Sequence, residues 1–273
     1  MSQTPLWTPG EARRRASRMQ VFLDQVAERL DGDAYEDLWK WSVEQPEAFW
    51  SEVWDFTGVV GEKGGTVLEH GDRMPGARWF PRARLNFAEN LLRHGGDDPA
   101  LISWTEEGPR RRLSRDELRD EVSRCAQALR ELGVQRGDRV GAYMPNCPET
   151  IIAMLAAASL GAVWSSCSPD FGVQGALDRL GQVEPRVLVA ADGYRYAGKP
   201  RPVMDRVAAM REGLPSVEKV LLVGWLDPRP DTSAVRDAVQ LVNDGYLGPL
   251  TDQQRMCLQD ALARCDEMQL LVG

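Results

Sequence analysis

The sequence predicts an α/β protein in which an N-terminal helical segment precedes a doubly wound, mostly parallel sheet. Two observations carry this prediction. Short strands rich in Val, Leu and Ala alternate with helical segments between residues 139 and 224, a pattern typical of a parallel sheet covered on both faces. Before them, the first sixty residues hold aromatic side chains at helical spacing. We therefore divide the chain into residues 1–78, 79–227 and 228–273.

Residues 1–78 are predicted to form a Trp-rich helical segment. Pro46 suits the first turn of its second helix. We interpret the stripe as a helical layer packed on a larger core, since a base-stacking platform for nucleic acid would also need basic residues. The stripe comprises Tyr35, Leu38, Trp39, Trp41, Phe49, Trp50, Val53 and Trp54.

Residues 79–227 carry the α/β pattern. Capping-box sequences at Asn86 and Ser114 each begin a helix, and two short strands flank a Glu-Gly-Pro turn between them. Right-handed crossovers would bring the loops after the later strands to one sheet edge, where α/β proteins bind ligands. Predicted strands lie at 139–144, 162–166, 186–191 and 219–224, and predicted helices at 149–160, 173–182 and 202–212.

Residues 228–273 are predicted to be a linker followed by one amphipathic helix. Thr251 is a suitable cap for this helix, and no strand is predicted after it. Its apolar face would consist of Leu258, Leu262, Cys265 and Met268.

Composition and charge exclude several classes of protein. The net charge of -8 argues against nucleic acid or an anionic membrane as a partner. The apolar run Ile151–Trp164 is too short to span a bilayer, and no signal peptide is visible, so we expect a cytoplasmic protein. Five cysteines without CxxC spacing and only two histidines predict reduced thiols and no metal site. Oligomeric state has no marker in the sequence.

Small polar residues follow the second strand of the pattern, in "SSCSPDFG". A nucleophile here would need a neighbouring base, and neither histidine is near in sequence. We interpret the loop as the wall of a ligand channel, in which Pro169 stiffens the turn and Asp170 bonds amides. No GxGxxG or GxxxxGK[ST] motif occurs in the chain, which disfavours a nicotinamide oxidoreductase.

The loop after the next strand, "DGYRYAGKPR", is basic. Arg195, Lys199 and Arg201 could hold a phosphate there, with Tyr194 or Tyr196 stacked on a base. An ordinary solvated loop is the alternative interpretation of the same residues.

Three stretches resemble the acetoacetyl-CoA synthetases of the adenylate-forming acyl-CoA ligase superfamily. They are "WFPRARLNFAENLLR", "GDRVGAYMPNCPETIIAMLAAASLGAVWSSCSPDFG" and "ADGYRYAGK". The string "WSSCSPDFG" is specific to that branch of the superfamily. The resemblance runs from about Trp7 to about Asp227.

The resemblance implies a two-step ligase whose substrates are acetoacetate, ATP and CoA. Acetoacetate and ATP would give an acyl-adenylate, from which the CoA thiol displaces AMP. Ser168, Pro169 and Asp170 would line the pantetheine tunnel, Arg195 would meet the CoA 3′-phosphate, and Lys199 would be a second basic residue nearby.

The chain departs from the family in lacking the sequences that carry its nucleotide chemistry. We find no phosphate loop ending in Pro-Lys, no Thr-Glu motif and no C-terminal domain with a catalytic Lys. ATP and magnesium are therefore expected only for the full-length family enzyme, and no catalytic residue is assigned here. The first hypothesis is the N-terminal part of an ATP-dependent acetoacetate–CoA ligase. The alternative is a non-catalytic α/β binding or interaction module from a truncated ligase gene.

Overall fold

A computed structural model describes residues 6–32 and 35–228, together with residues 230, 231, 233, 235 and 238–241. The chain divides between Ala83 and Arg84 into two compact units. The boundaries proposed from the sequence, at residues 78 and 227, remain predictions.

The first unit is mainly helical. Its core contains Trp41, which is only 4% exposed, whereas Trp39 and Trp50 of the same aromatic stripe are 59% and 43% exposed. Pro46 begins its helix at the first turn, as the sequence predicts. The elements are α1 (Glu11–Arg15), α2 (Arg18–Val26), a 3₁₀ turn (Ala27–Arg29), α3 (Tyr35–Glu44), α4 (Pro46–Thr57) and the antiparallel pair β1 (Leu68–Glu69) and β2 (Arg78–Trp79).

The second unit contains the α/β pattern. Ser114 and Glu117 form the complete predicted capping box, and the Asn86 side chain accepts from the Glu89 N–H. None of the helices in the described part of the chain combines the length and apolar composition needed to cross a membrane. The elements are α5 (Phe87–Leu92), β3 (Pro99–Thr105), β4 (Gly108–Ser114), α6 (Arg115–Glu131), β5 (Arg139–Tyr143), α7 (Pro148–Ser159), β6 (Val163–Cys167), α8 (Val173–Leu180), β7 (Val187–Ala191), β8 (Gly193–Tyr196), β9 (Lys199–Pro202), α9 (Met204–Gly213), β10 (Lys219–Val223) and β11 (Ala238–Leu241).

Within the described residues, the central sheet has five strands in the order β11-β10-β7-β5-β6, and every neighbouring pair is parallel. Strand β7 lies at its middle, and all five of its residues are buried. Val189 faces one core cluster with α6 and α7, whereas Leu188 faces a second cluster with α8 and α9. Because both faces are covered by helices, the predicted doubly wound α/β fold is confirmed.

Strand β11 is a difference from the prediction. It lies in the segment 228–273, which the sequence analysis described as linker and helix, and it pairs in parallel with β10 from Val220↔Ala238 to Val223↔Leu241. Four residues are too few to give a periodic signal, which explains why the strand was not predicted. The helix predicted from Thr251 lies outside the described residues.

The basic stretch after β7 also differs from the prediction of a loop. Residues 193–202 form the antiparallel hairpin β8–β9, with Gly193 opposite Pro202 and Tyr196 opposite Lys199. Two prolines in β9 obscure the strand in the sequence, because proline is depleted from central strands. Proline is tolerated here because β9 lies at the edge of a two-stranded ribbon.

Candidate functional site

The carboxyl ends of the sheet strands meet at a cleft with a volume of about 330 Å³. Strands β5 and β7 are neighbours, and the chain continues from β5 to β6 on one side of them and from β7 toward β10 on the other. Such a switch point is where open α/β sheets bind ligands. Residues that follow four of the strands line the cleft. They are Pro145 and Asn146 after β5, Ser168, Pro169 and Asp170 after β6, Tyr194, Arg195 and Tyr196 after β7, and Trp225 after β10.

The other wall comes from the β3–β4 hairpin. It contributes five residues to the lining: Trp104, Thr105, Glu106, Glu107 and Arg110. The sequence analysis missed this wall because the hairpin is antiparallel and outside the central sheet. Its turn glutamates, Glu106 and Glu107, look like ordinary solvated turn residues when only spacing is considered.

A buried tyrosine fixes the loop that carries Ser168 to Phe171. The Tyr143 hydroxyl lies 2.9 Å from the Pro169 carbonyl oxygen and 2.7 Å from that of Phe171. Arg206 Nη1 donates to the same Pro169 oxygen at 3.1 Å. A hydrogen bond with the Tyr143 hydroxyl raises the pKa of the Arg206 guanidinium. Two side chains, Tyr143 and Arg206, therefore hold the backbone of this cleft wall.

Polar side chains in the loop are also ordered. Ser168 Oγ donates to Asp170 Oδ2 at 2.9 Å. Burial, and then the neighbouring Asp170 carboxylate, raise the pKa of the Tyr194 hydroxyl. The Tyr194 hydroxyl is a donor at neutral pH, and the exposed Asp170 carboxylate is an acceptor at the cleft surface.

Among the described residues that line the cleft, no nucleophile is paired with a histidine base. Cys167, which ends β6, is buried, and its thiol donates to the Ala142 carbonyl at 3.7 Å. Burial raises the pKa of this thiol, and Arg179 offsets only part of that effect. A buried protonated thiol is a poor nucleophile, and neither His70 nor His94 lines the cleft. The arrangement is suited to binding a ligand.

Asp192 organises the rear of the cleft. Asp192 is 5% exposed, and its carboxylate accepts N–H bonds from Trp225 at 2.7 Å, Leu226 at 2.9 Å and Asp227 at 2.7 Å. The Trp225 carbonyl in turn accepts from Arg110 at 2.9 Å, and that guanidinium lies 3.7 Å from the indole centroid. The sequence analysis assigned no role to Asp192, although a carboxylate directly after a buried strand is a usable signal.

Hairpin β8–β9 places Arg195 in the cleft and Lys199 outside it. Arg195 lines the cleft together with the predicted Ser168, Pro169 and Asp170. Lys199 is exposed at the far side of the turn and is not among the residues that line either of the two clefts described here. The structure thus brings together four of the five predicted site residues.

A second opening of about 420 Å³ adjoins the first. The two share Asp170, Tyr194 and Tyr196, and the second adds Arg201 and Arg206. The first cleft has a mixed charge, since it is lined by two arginines and three acidic residues, whereas the second is lined by two arginines and one acidic residue. An elongated anionic ligand could therefore extend from one opening into the other.

Comparison with protein families gives two matches. The family described as "AMP-binding enzyme" matches residues 87–259, and the "Acetyl-coenzyme A synthetase N-terminus" matches residues 35–91. The first match extends past Asp227, the residue near which the resemblance in the sequence ends.

Comparison with curated proteins finds similar sequences among acetoacetyl-CoA synthetases. The chain is 51% identical over 218 residues to an acetoacetyl-coenzyme A synthetase of Rhizobium meliloti (strain 1021), covering 78% of the chain and 33% of that protein. It is 39% identical over 257 residues to an acetoacetyl-CoA synthetase of Macaca fascicularis, covering 91% of the chain and 38% of that protein. The chain therefore spans a little over a third of the length of these relatives.

A solved structure shows the same fold. Acetoacetyl-CoA synthetase from Streptomyces lividans matches with a TM-score of 0.78 and 39% sequence identity. The match covers 87% of this chain and 37% of that structure. Fold and sequence similarity thus agree on the same group of proteins.

Proposed function

The chain belongs to the family of AMP-binding enzymes, and from this premise we propose that it supplies the N-terminal part of an ATP-dependent acetoacetate–CoA ligase. In this reaction the acetoacetate carboxylate attacks the α-phosphate of ATP and releases pyrophosphate. The CoA thiol then attacks the acyl-adenylate, forming the thioester and releasing AMP. The observation that carries the proposal is the 51% identity to the Rhizobium meliloti acetoacetyl-coenzyme A synthetase.

We further propose that the cleft is one wall of a CoA site. Ser168, Pro169 and Asp170 would line the path of the pantetheine arm, whose amides can bond to a hydroxyl and a carboxylate. Arg195 would meet the 3′-phosphate, because a guanidinium binds phosphate with charge-assisted hydrogen bonds. Lys199 would add a second, more distant positive charge. The support for this assignment is the convergence of Ser168, Asp170 and Arg195 on one cleft at the switch point of the sheet.

Adenylate formation requires groups beyond those assigned here. Within the described ranges, no set of three or more His, Cys, Asp or Glu side chains is placed to hold a metal ion. The proposal therefore gives no magnesium ligand and no α-phosphate contact to these residues. Their part is to bind and orient CoA, while ATP, acetoacetate and magnesium belong to the complete ligase.

A chimaeric enzyme tests the proposed function. The chain replaces the matching 37% of the Streptomyces lividans acetoacetyl-CoA synthetase, and thioester formation is followed with acetoacetate, with acetate as the control substrate. We expect acetoacetyl-CoA to form only when ATP and CoA are both present. Circular dichroism melts of chimaera and parent check that the chimaera is folded.

The same assay distinguishes the proposed ligase part from the alternative, a non-catalytic binding module. A folded chimaera that binds CoA and forms no thioester would favour the module. A folded chimaera that exchanges pyrophosphate with ATP but neither binds CoA nor forms thioester would contradict the assignment of the CoA wall to this chain.

A further inference from the structure

Two adjacent glutamates at the tip of the β3–β4 hairpin contact the β8–β9 hairpin on the opposite side of the cleft. Glu106 binds the backbone of the β8–β9 turn, and Glu107 pairs with the Arg195 side chain. Both glutamates also line the cleft. The contacts join residues about ninety positions apart in the chain, since Glu106 and Ala197 differ by 91.

Glu106 holds both residues of the tight turn. Its Oε1 accepts from the Ala197 N–H at 2.9 Å, and its Oε2 accepts from the Gly198 N–H at 2.6 Å. Both turn residues have positive φ, 51° and 71°, which suits a two-residue hairpin but is unfavourable for alanine. A carboxylate that accepts both N–H groups stabilises this conformation, and with it the direction in which the preceding strand presents Arg195.

Glu107 pairs with Arg195 directly. Arg195 Nη1 lies 3.4 Å from Glu107 Oε1, and the two side chains are 42% and 71% exposed. Exposed pairs of this kind are weak and exchange readily with other partners. No other ion pair of Arg195 is formed within the part of the chain that the structure describes, so this carboxylate is the anion that a phosphate would have to replace.

We propose that Glu106 is a positioning residue for Arg195 and that Glu107 is an internal competitor, which occupies Arg195 until an anionic ligand displaces it. The inference rests on the proposed function in one respect, because the displacing anion is taken to be the 3′-phosphate of CoA. It predicts opposite effects for neighbouring residues of the same charge. Loss of Glu107 should tighten binding, and loss of Glu106 should weaken it.

Calorimetric titration of Glu107→Gln with CoA and with dephospho-CoA tests whether Glu107 competes with the 3′-phosphate for Arg195. Releasing one exposed ion pair should lower the Kd for CoA by about two- to fivefold, with no change for dephospho-CoA. Glu218→Gln is the matched control, because Glu218 also forms an exposed ion pair, with Arg186 at 3.1 Å, and is 57% exposed. Arg186 lies just before β7, at the end of the strand opposite to the cleft. The control should leave both affinities unchanged.

A double-mutant cycle tests whether Glu107 affects CoA binding through Arg195. In an Arg195→Ala background, Glu107→Gln should no longer change the Kd for CoA, because its target is absent. Weaker CoA binding by Glu107→Gln, or an equal gain in the Arg195→Ala background, would overturn the competitor role.

Amide hydrogen exchange tests Glu106 without any ligand. Glu106→Ala should speed exchange at Ala197 and Gly198 by roughly tenfold or more, because both amides lose their acceptor. Glu106→Gln, which keeps one accepting oxygen, should give an intermediate rate. Unchanged protection in Glu106→Ala would overturn the positioning role. If the wild-type chain does not bind CoA, the proposed CoA site fails, while this exchange experiment still decides whether Glu106 holds the β8–β9 turn.

Discussion

Replacing Asp192 with alanine should lower the free energy of unfolding by about 3 to 5 kcal/mol. The buried carboxylate accepts three backbone N–H bonds, one buried and two partly buried. Alanine would remove this shared acceptor, although the Trp225 N–H has a second one, the Val223 carbonyl oxygen at 3.0 Å. Stabilities of single domains are about 5 to 15 kcal/mol, so the loss would be a large part of the total. Urea denaturation followed by circular dichroism measures it as a lower transition midpoint.

Asp178→Ala is the matched control for this prediction. Asp178 is exposed and its carboxylate accepts from the Gln174 side chain, so its loss should change the stability by less than about 0.5 kcal/mol. A decrease of under about 1 kcal/mol for Asp192→Ala would mean that the segment from Trp225 to Asp227 is held by other contacts. In that case Asp192 would not organise the rear of the cleft.

Arg195→Ala should weaken CoA binding by roughly 10- to 100-fold, which is the loss of one charge-assisted hydrogen-bond pair to phosphate. Dephospho-CoA lacks the 3′-phosphate, so its affinity should fall by less than about twofold. Isothermal titration calorimetry of both ligands measures the difference.

Lys199→Ala serves as the comparison for the arginine. Lys199 is exposed and does not line the clefts, so its loss should weaken CoA binding by only about two- to fivefold through long-range charge. Equal losses for CoA and dephospho-CoA in Arg195→Ala would refute the assignment of this residue to the 3′-phosphate.

The central sheet was predictable because its strands are short apolar runs bounded by turn residues. Strands β5, β6, β7 and β10 lie within one or two residues of their predicted bounds. Burial explains this accuracy for β5, β7 and β10, since both faces of these strands select apolar side chains. The same pattern placed Ser168 and Arg195 after β6 and β7, which are consecutive in the chain. Parallel pairing of both strands with β5 then brought the two residues to one edge.

The remainder of the cleft could not be derived from spacing. The two bonds from Glu106 to the β8–β9 turn link residues 91 and 92 positions apart, and nothing in the local sequence predicts such a contact. Hairpin β8–β9 was hidden by its prolines, and Tyr143 looks like any apolar strand residue until its hydroxyl is seen to contact the Pro169 carbonyl. These groups are defined by tertiary packing, which a periodic pattern does not encode.

The most direct test of the central claim is a thermal melt of the purified chain with and without CoA. If the chain carries a folded CoA wall, CoA at a hundred times its Kd should stabilise the chain by about 2.7 kcal/mol and raise the Tm accordingly. Arg195→Ala should lose about half or more of this stabilisation at the same CoA concentration, given a roughly 10- to 100-fold weaker Kd. A cooperative melt with an unchanged Tm at millimolar CoA would contradict the proposal that this cleft binds CoA.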